Sequence, residues 1–262
     1  MIENIKIGFI GFGNMAQAIV TGLLDKQVIP SENLYACAKN MEKLKRNTDA
    51  RGMNACKNAR ELVEKSDMVI IAVKPYMIPE VMEPLMDDLE GKIVVSLAAG
   101  YSFEKYEKIF KANTHHISTI PNTPVSIGEG IIVCENRHSL TEEEVRIFES
   151  IFSEIAILPF VDTKLLSVAG TVSGCGPAFV SMFLEALGDA GVKHGLPRDL
   201  AYRLAGQMIA GTGKMQVTTG THPAVMKDAV CSPGGTTIRG VAALEKAGMR
   251  SAIIEAIDAI EG

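Results

Sequence analysis

The stretch Ile5-Lys6-Ile7-Gly8-Phe9-Ile10-Gly11-Phe12-Gly13-Asn14-Met15-Ala16 constrains the chain most, because it joins an apolar run of buried-strand type directly to a glycine turn. In Gly11-x-Gly13-x-x-Ala16 one glycine makes a tight turn, the next lets backbone approach a ligand closely, and the small third residue lets helix pack on strand. Met15, Ile19 and Leu23, with Ala16, Val20 and Leu24 one step round, then recur at helical spacing. The amide-bearing start of that helix faces whatever anion rests on the turn. A strand, this turn and a helix in direct succession predict a dinucleotide-binding βα unit. A turn that wants small residues only for packing is the alternative.

The following segments alternate between strand and helix patterns. Residues 34–38 form a second strand that feeds a helix over 41–51 and ends in Ala38-Lys39-Asn40, where domains preferring NAD usually place an acidic residue for the ribose hydroxyls. The absence of a carboxylate and the charge of Lys39 favour NADP, against the alternative of a solvated turn lysine. Asn58 suits the cap of a helix over 59–65. Residues 68–73 are continuously apolar, as a parallel strand buried on both faces requires, and the run stops at Lys74-Pro75, beyond the strand's carboxyl end. A lysine there is either ligand-facing or simply solvated. The run 92–97 ends in the small residues Ala98-Ala99-Gly100, and 115–120 ends in Pro121-Asn122-Thr123-Pro124, a rigid loop. Last strands are expected over 130–134 and 156–160, flanking a helix opened by the capping-box pair Thr141 and Glu144. This order predicts an α/β fold, a Rossmann-like doubly wound sheet. His115 and His116 would face opposite sides of their strand, so no metal site is expected from them.

From about Lys164 onward no strand run is convincing, so an all-α domain is expected after the sheet, with the division at 1–162 and 163–262. Gly206, Gly211 and Gly213 fall inside one helical pattern, each costing about 1 kcal/mol there, which implies close helix contacts. About 100 residues of such helices bury too little surface alone, so a tight homodimer formed through them is expected. Net charge of -5 argues against a nucleic-acid partner. Five scattered cysteines without a CxxC pair suit a reduced, cytoplasmic chain and no zinc. With no basic leader and no unbroken run of 18 apolar residues, neither secretion nor a membrane span is expected.

A second informative stretch is Asp228-Ala229-Val230-Cys231-Ser232-Pro233-Gly234-Gly235-Thr236-Thr237-Ile238, where hydroxyls and two glycines immediately precede a helix. Free amides of Gly235, Thr236 and Thr237 suit a carboxylate, and a threonine hydroxyl there can donate to a substrate nitrogen. The alternative is that Ser232 or Thr236 simply caps the helix.

These two stretches, together with Val73-Lys74-Pro75, Ala98-Ala99-Gly100, Pro121-Asn122-Thr123-Pro124, Ser173-Gly174-Cys175-Gly176-Pro177-Ala178 and Gly195-Leu196-Pro197, resemble the pyrroline-5-carboxylate reductases nearly from end to end. The resemblance implies reduction of 1-pyrroline-5-carboxylate to L-proline, the last step of proline biosynthesis. It implies NADPH as the preferred donor with NADH as a second one, and a Rossmann domain followed by a helical dimerisation domain, often in rings of dimers. It assigns cofactor contact to the turn from Ile10 and Gly11 through Phe12, Gly13, Asn14 and Met15. Ala38, beside Lys39, and Asn58 join that set, as do Ala72, Val73, Lys74 and Pro75 at one strand end and Ala98 and Ala99 at the next. Substrate contact falls to Thr236 and Thr237. The chain departs from the family pattern at Ser118 and Ile120, where arginine and methionine are usual, and at Cys175, where serine is usual.

The chemistry expected on these grounds is hydride delivery to the C=N carbon of the cyclic imine, with its carboxylate on the Gly235-Thr236-Thr237 amides and Thr237 bonded to the ring nitrogen. Two alternatives stand beside it. One is a reductase of another small imine or 2-oxo acid, with Lys164, Lys193 or Lys214 as acid; the other is a non-catalytic NADP sensor.

Overall fold

The computed structural model describes residues 4–262. The first three residues of the expected 1–162 domain, and with them the reading of the N-terminus as leaderless, lie outside the described residues. Among the described residues nine strands form one sheet: β1 (Ile7–Ile10), β2 (Leu34–Cys37), β3 (Asn54–Ala55), β4 (Met68–Ile71), β5 (Ile93–Ser96), β6 (His115–Pro121), β7 (Gly130–Glu135), β8 (Ala156–Ile157) and β9 (Phe160–Val161). Their order is β3-β2-β1-β4-β5-β6-β7-β8, with β9 also paired to β7. Neighbours from β3 to β6 are parallel. β7 then runs antiparallel to β6 and parallel to β8 and β9.

The helices between the strands are α1 (Asn14–Asp25), α2 (Met41–Asp49), α3 (Ala59–Lys65), α4 (Ile78–Met82), α5 (Phe103–Tyr106) and α6 (Glu142–Phe152). All four residues of β1 and of β4 are buried. Their side chains alternate between two cores, as the period of a strand dictates. Ile7, Phe9, Met68 and Ile70 meet Ile19, Leu23 and Phe148 on one face. Ile10, Val69 and Ile71 meet Leu62, Ile78 and Met82 on the other. Burial on both faces is why these strands read as continuous apolar runs.

Caps fall where expected. The Asn58 side chain accepts from the Glu61 N–H at 2.9 Å, and Thr141 forms a full capping box with Glu144. Two details differ from expectation. β3 was not among the expected strands, since two residues are too few to show any periodicity. The single strand expected over 156–160 is two, β8 and β9, because Pro159 between them has no N–H for the ladder while its carbonyl accepts from the Cys134 N–H at 2.9 Å.

The remainder is helical: α7 (Thr163–Gly170), a π turn over Thr171–Cys175, α8 (Gly176–Lys193), α9 (Arg198–Thr219), α10 (Pro223–Ala229), α11 (Thr236–Lys246) and α12 (Met249–Glu261). The chain divides into two compact units, the first running through Cys175 and the second covering Gly176–Gly262. α7 packs against β6, β7 and β9, which carries the first unit past residue 162. In the second unit α8 and α9 pack together, with Gly188 pressed against the Tyr202 ring. The helical stretch Thr163–Lys193 contains an 18-residue window with a mean hydropathy of 1.4, so it is long and apolar enough by length and composition to cross a membrane. It holds no unbroken apolar run of 18 residues because Ser167, Gly170, Thr171 and Ser173 interrupt it.

Candidate active site

A cavity of about 1020 Å³ opens at the carboxyl ends of β1, β2, β4 and β5. Its floor is the turn after β1. The Gly11 N–H donates to the Cys37 carbonyl and the Ala72 N–H to the Ile10 carbonyl, both at 2.9 Å, so the turn is tied to the two strands beside it. Gly11 has φ +92, and a Cβ there would lie 2.8 Å from the Ala72 carbonyl oxygen. Only glycine meets both demands.

Gly13 is the N-cap of α1, and it is different: a Cβ there would touch nothing within 4 Å. The helix start has neither a side-chain cap nor an acidic residue in its first turn. Its free amides, lining an open concavity, are the donors a pyrophosphate requires. A dinucleotide therefore fits the residues present.

The cavity walls bring together every residue singled out for cofactor contact: Ile10, Gly11, Phe12, Gly13, Asn14 and Met15 from the turn, Ala38, Lys39 and Asn58 on one side, Ala72, Val73, Lys74 and Pro75 after β4, and Ala98 and Ala99 after β5. Lys39 Nζ stands 3.9 Å from Glu80 Oε1, an exposed pair. The Ala98 N–H donates to Ser96 Oγ at 3.1 Å, and that hydroxyl shares a 2.6 Å hydrogen bond with the buried Tyr106 hydroxyl. The small residues at this strand end are thus held in place from below.

Cys37, Lys57, Met77, Val81 and Thr123 also line the cavity without having been anticipated. Lys57 follows a strand too short to announce its carboxyl end, and Thr123 lies in a loop whose prolines signalled only rigidity. Burial pushes the Cys37 thiol up to about 11, only partly offset by the Gly11 N–H, so it is a protonated wall residue and not a nucleophile.

Thr236 and Thr237 belong to the second unit, in the first turn of α11. The N-cap is Gly235, with no side-chain cap, and the Gly235 N–H donates to the Ser232 carbonyl at 3.0 Å. Neither Ser232 nor Thr236 serves as a side-chain cap. The hydroxyls of Thr236 and Thr237 are exposed and have no hydrogen-bond partner among the described residues. His115 and His116 face different carboxylates, Nδ1 of the first against Glu144 and Nε2 of the second against Glu107, each at 2.8 Å.

Residues 163–261 match the family model described as pyrroline-5-carboxylate reductase dimerisation, and residues 6–100 match one described as NADP oxidoreductase, coenzyme F420-dependent. The pyrroline-5-carboxylate reductase of Treponema pallidum is 43% identical over 97% of this chain and 98% of its own. This chain belongs to the pyrroline-5-carboxylate reductase family. The Escherichia coli reductase of the same name is 37% identical, covering 96% of this chain and 94% of its own. The crystal structure of Plasmodium falciparum pyrroline carboxylate reductase with NADP bound superposes with a TM-score of 0.90 at 31% identity, covering 99% of this chain and 97% of its own. For a reductase of this family the apolar helices after residue 163 have an explanation in the dimerisation match.

Proposed function

We propose that this protein reduces 1-pyrroline-5-carboxylate to L-proline with NADPH as preferred donor and NADH as a second one. The observation that carries the proposal is the open, uncapped start of α1 above Gly13, set in a cavity at the parallel strand ends. When bound there, NADPH supplies the hydride. The amides of Gly13, Asn14 and Met15 would hold its pyrophosphate, and the segment Ala72 to Pro75 would line the rest of the coenzyme together with Ala98 and Ala99, whose small side chains leave it room. Lys39 would meet the 2'-phosphate.

The residue roles at the substrate turn follow from the same reasoning. Amides of Gly235, Thr236 and Thr237 hold the carboxylate, and Thr237 Oγ1 bonds the ring nitrogen, fixing the imine plane for attack at its carbon. No His or carboxylic acid lies in that turn, so the nitrogen carries its proton from solvent, and the protonated imine is already electrophilic. The functional division is set at 1–162 and 163–262, supported by the family match that begins at residue 163. The working state is a cytoplasmic homodimer, assembled further into a ring of dimers.

Thr237→Ala tests the substrate turn. It lowers kcat/KM for the imine by about 10- to 100-fold, a loss of about 1.4 to 2.7 kcal/mol of orientation, while NADPH affinity stays within about twofold. Unchanged kinetics with the imine would remove Thr237 from the site.

A further inference from the structure

Lys57 lines the same cavity as Lys39 but leaves a different strand. β3 runs parallel to β2 in the register Tyr35 to Asn54 and Ala36 to Ala55, and the Cys56 N–H continues the ladder by donating to the Ala36 carbonyl at 2.8 Å. One more step in that register sets Lys57 beside Ala38. Lys39 and Lys57 therefore emerge from the carboxyl ends of neighbouring strands, whose backbones lie about 4.8 Å apart.

The two ammonium groups differ in their surroundings. Lys39 Nζ has Glu80 Oε1 at 3.9 Å, each side chain 75% exposed. Lys57 Nζ has no ion pair and no hydrogen bond among the described residues. The acid nearest it in sequence, Glu61, is already committed: Oε1 pairs with Lys65 Nζ at 2.7 Å and Oε2 accepts from the Lys57 backbone N–H at 2.7 Å. A lysine on a cavity wall without a counter-ion, next to a second lysine, pays like-charge repulsion that a dianion between them would relieve.

We propose that Lys57 is the principal recognition group for the 2'-phosphate of the coenzyme, that Lys39 is the second, and that Glu80 competes for Lys39 and so narrows the preference for NADPH over NADH. This rests on the reading of the cavity as a nicotinamide dinucleotide site. In such sites the adenosine ribose lies at the carboxyl end of the second strand, where an acid selects the hydroxyl and a cation the phosphate. The β2 end has no acid of its own, and Glu80 of α4 stands against Lys39 instead. Lysine binds phosphate as a point charge, so the contact is sensitive to salt.

The test is calorimetric titration of NADPH and of NADH into the full-length protein and its Lys57→Gln, Lys39→Gln and Glu80→Gln variants, at low and high ionic strength. Lys57→Gln weakens NADPH binding about tenfold and flattens its salt dependence, while NADH binding is unchanged. Lys39→Gln causes a smaller loss, also confined to NADPH. Glu80→Gln tightens NADPH binding about two- to fivefold, the range of an exposed ion pair, and leaves NADH alone. Equal weakening of both coenzymes by Lys57→Gln, or no change in either, would overturn the assignment. Thermal unfolding of the variants, whose replaced side chains are all exposed, controls for folding. The measurement needs no turnover. Failure of the wild type to bind either nucleotide would overturn the coenzyme site and the lysine assignment together, whereas failure of the reductase chemistry would leave these titrations intact.

Discussion

Gly11 and Gly13 are one residue apart and answer to different constraints. The first is required by the protein: positive φ and a carbonyl 2.8 Å from any Cβ mean that Gly11→Ala strains the fold. The second is required only by what enters the cavity, because no protein atom lies within 4 Å of its missing Cβ. Gly13→Val accordingly lowers the thermal midpoint by no more than the few degrees a poorer N-cap costs and weakens NADPH binding by at least about tenfold, since the branched side chain fills the space a pyrophosphate would take. A differential scan and a titration on the same sample decide it; a loss of stability without a loss of binding would contradict the cradle. At this scale the fingerprint residues were legible because the strand, turn and helix that demand small residues follow one another at fixed spacing in the sequence. Lys57 was not, because its place in the cavity comes from the β2–β3 register, which a two-residue strand does not advertise.

Among the elements, the packing of α5 on β6 carries a titratable group into the core. The His116 ring is 1% exposed, stacks on Phe103 with centroids 4.6 Å apart and meets the edge of Phe110 at 5.2 Å. Its Nε2 faces Glu107 at 2.8 Å, while its buried Nδ1 has no partner. Burial pulls its pKa below the ordinary 6.5, more than the carboxylates of Glu107 and Glu135 raise it; His115 alongside also lowers it. The neutral ring is the folded form, so the unfolded chain binds the additional proton as pH drops. This contribution to stability is complete above 6.5 and is lost as pH falls through the depressed folded value. Urea denaturation followed at descending pH shows that loss, and His116→Gln flattens the acid limb; an identical limb in the variant would assign it elsewhere. The strands of this sheet were legible because burial on both faces leaves an unbroken apolar run. The split into β8 and β9 was visible only as Pro159, whose consequence depends on β7 lying alongside.

The whole molecule is uneven in how it buries its apolar residues. The first unit encloses two cores, whereas in the second few side chains are enclosed and Met182, Leu204, Met208, Val217 and Ile254 are exposed. Helices with that composition need a partner surface, and the dimerisation family match over 163–261 says which kind. Sedimentation at micromolar concentration gives a dimer or a multiple of one; a monomer would mean that the apolar face has another occupant. The helical character of this unit could be read from its sequence, and its incompleteness only indirectly, from glycines placed inside a helix and from the little surface that about 100 residues can bury alone.

Consumption of NADPH by the purified protein, with pyrroline-5-carboxylate set against a linear 2-oxo acid and with NADH as the second donor, decides the reaction. NADPH oxidation confined to the cyclic imine, with proline as the product and a slower rate with NADH, is the predicted result. Oxidation with the 2-oxo acid instead, or NADPH binding with no oxidation by either substrate, would contradict it.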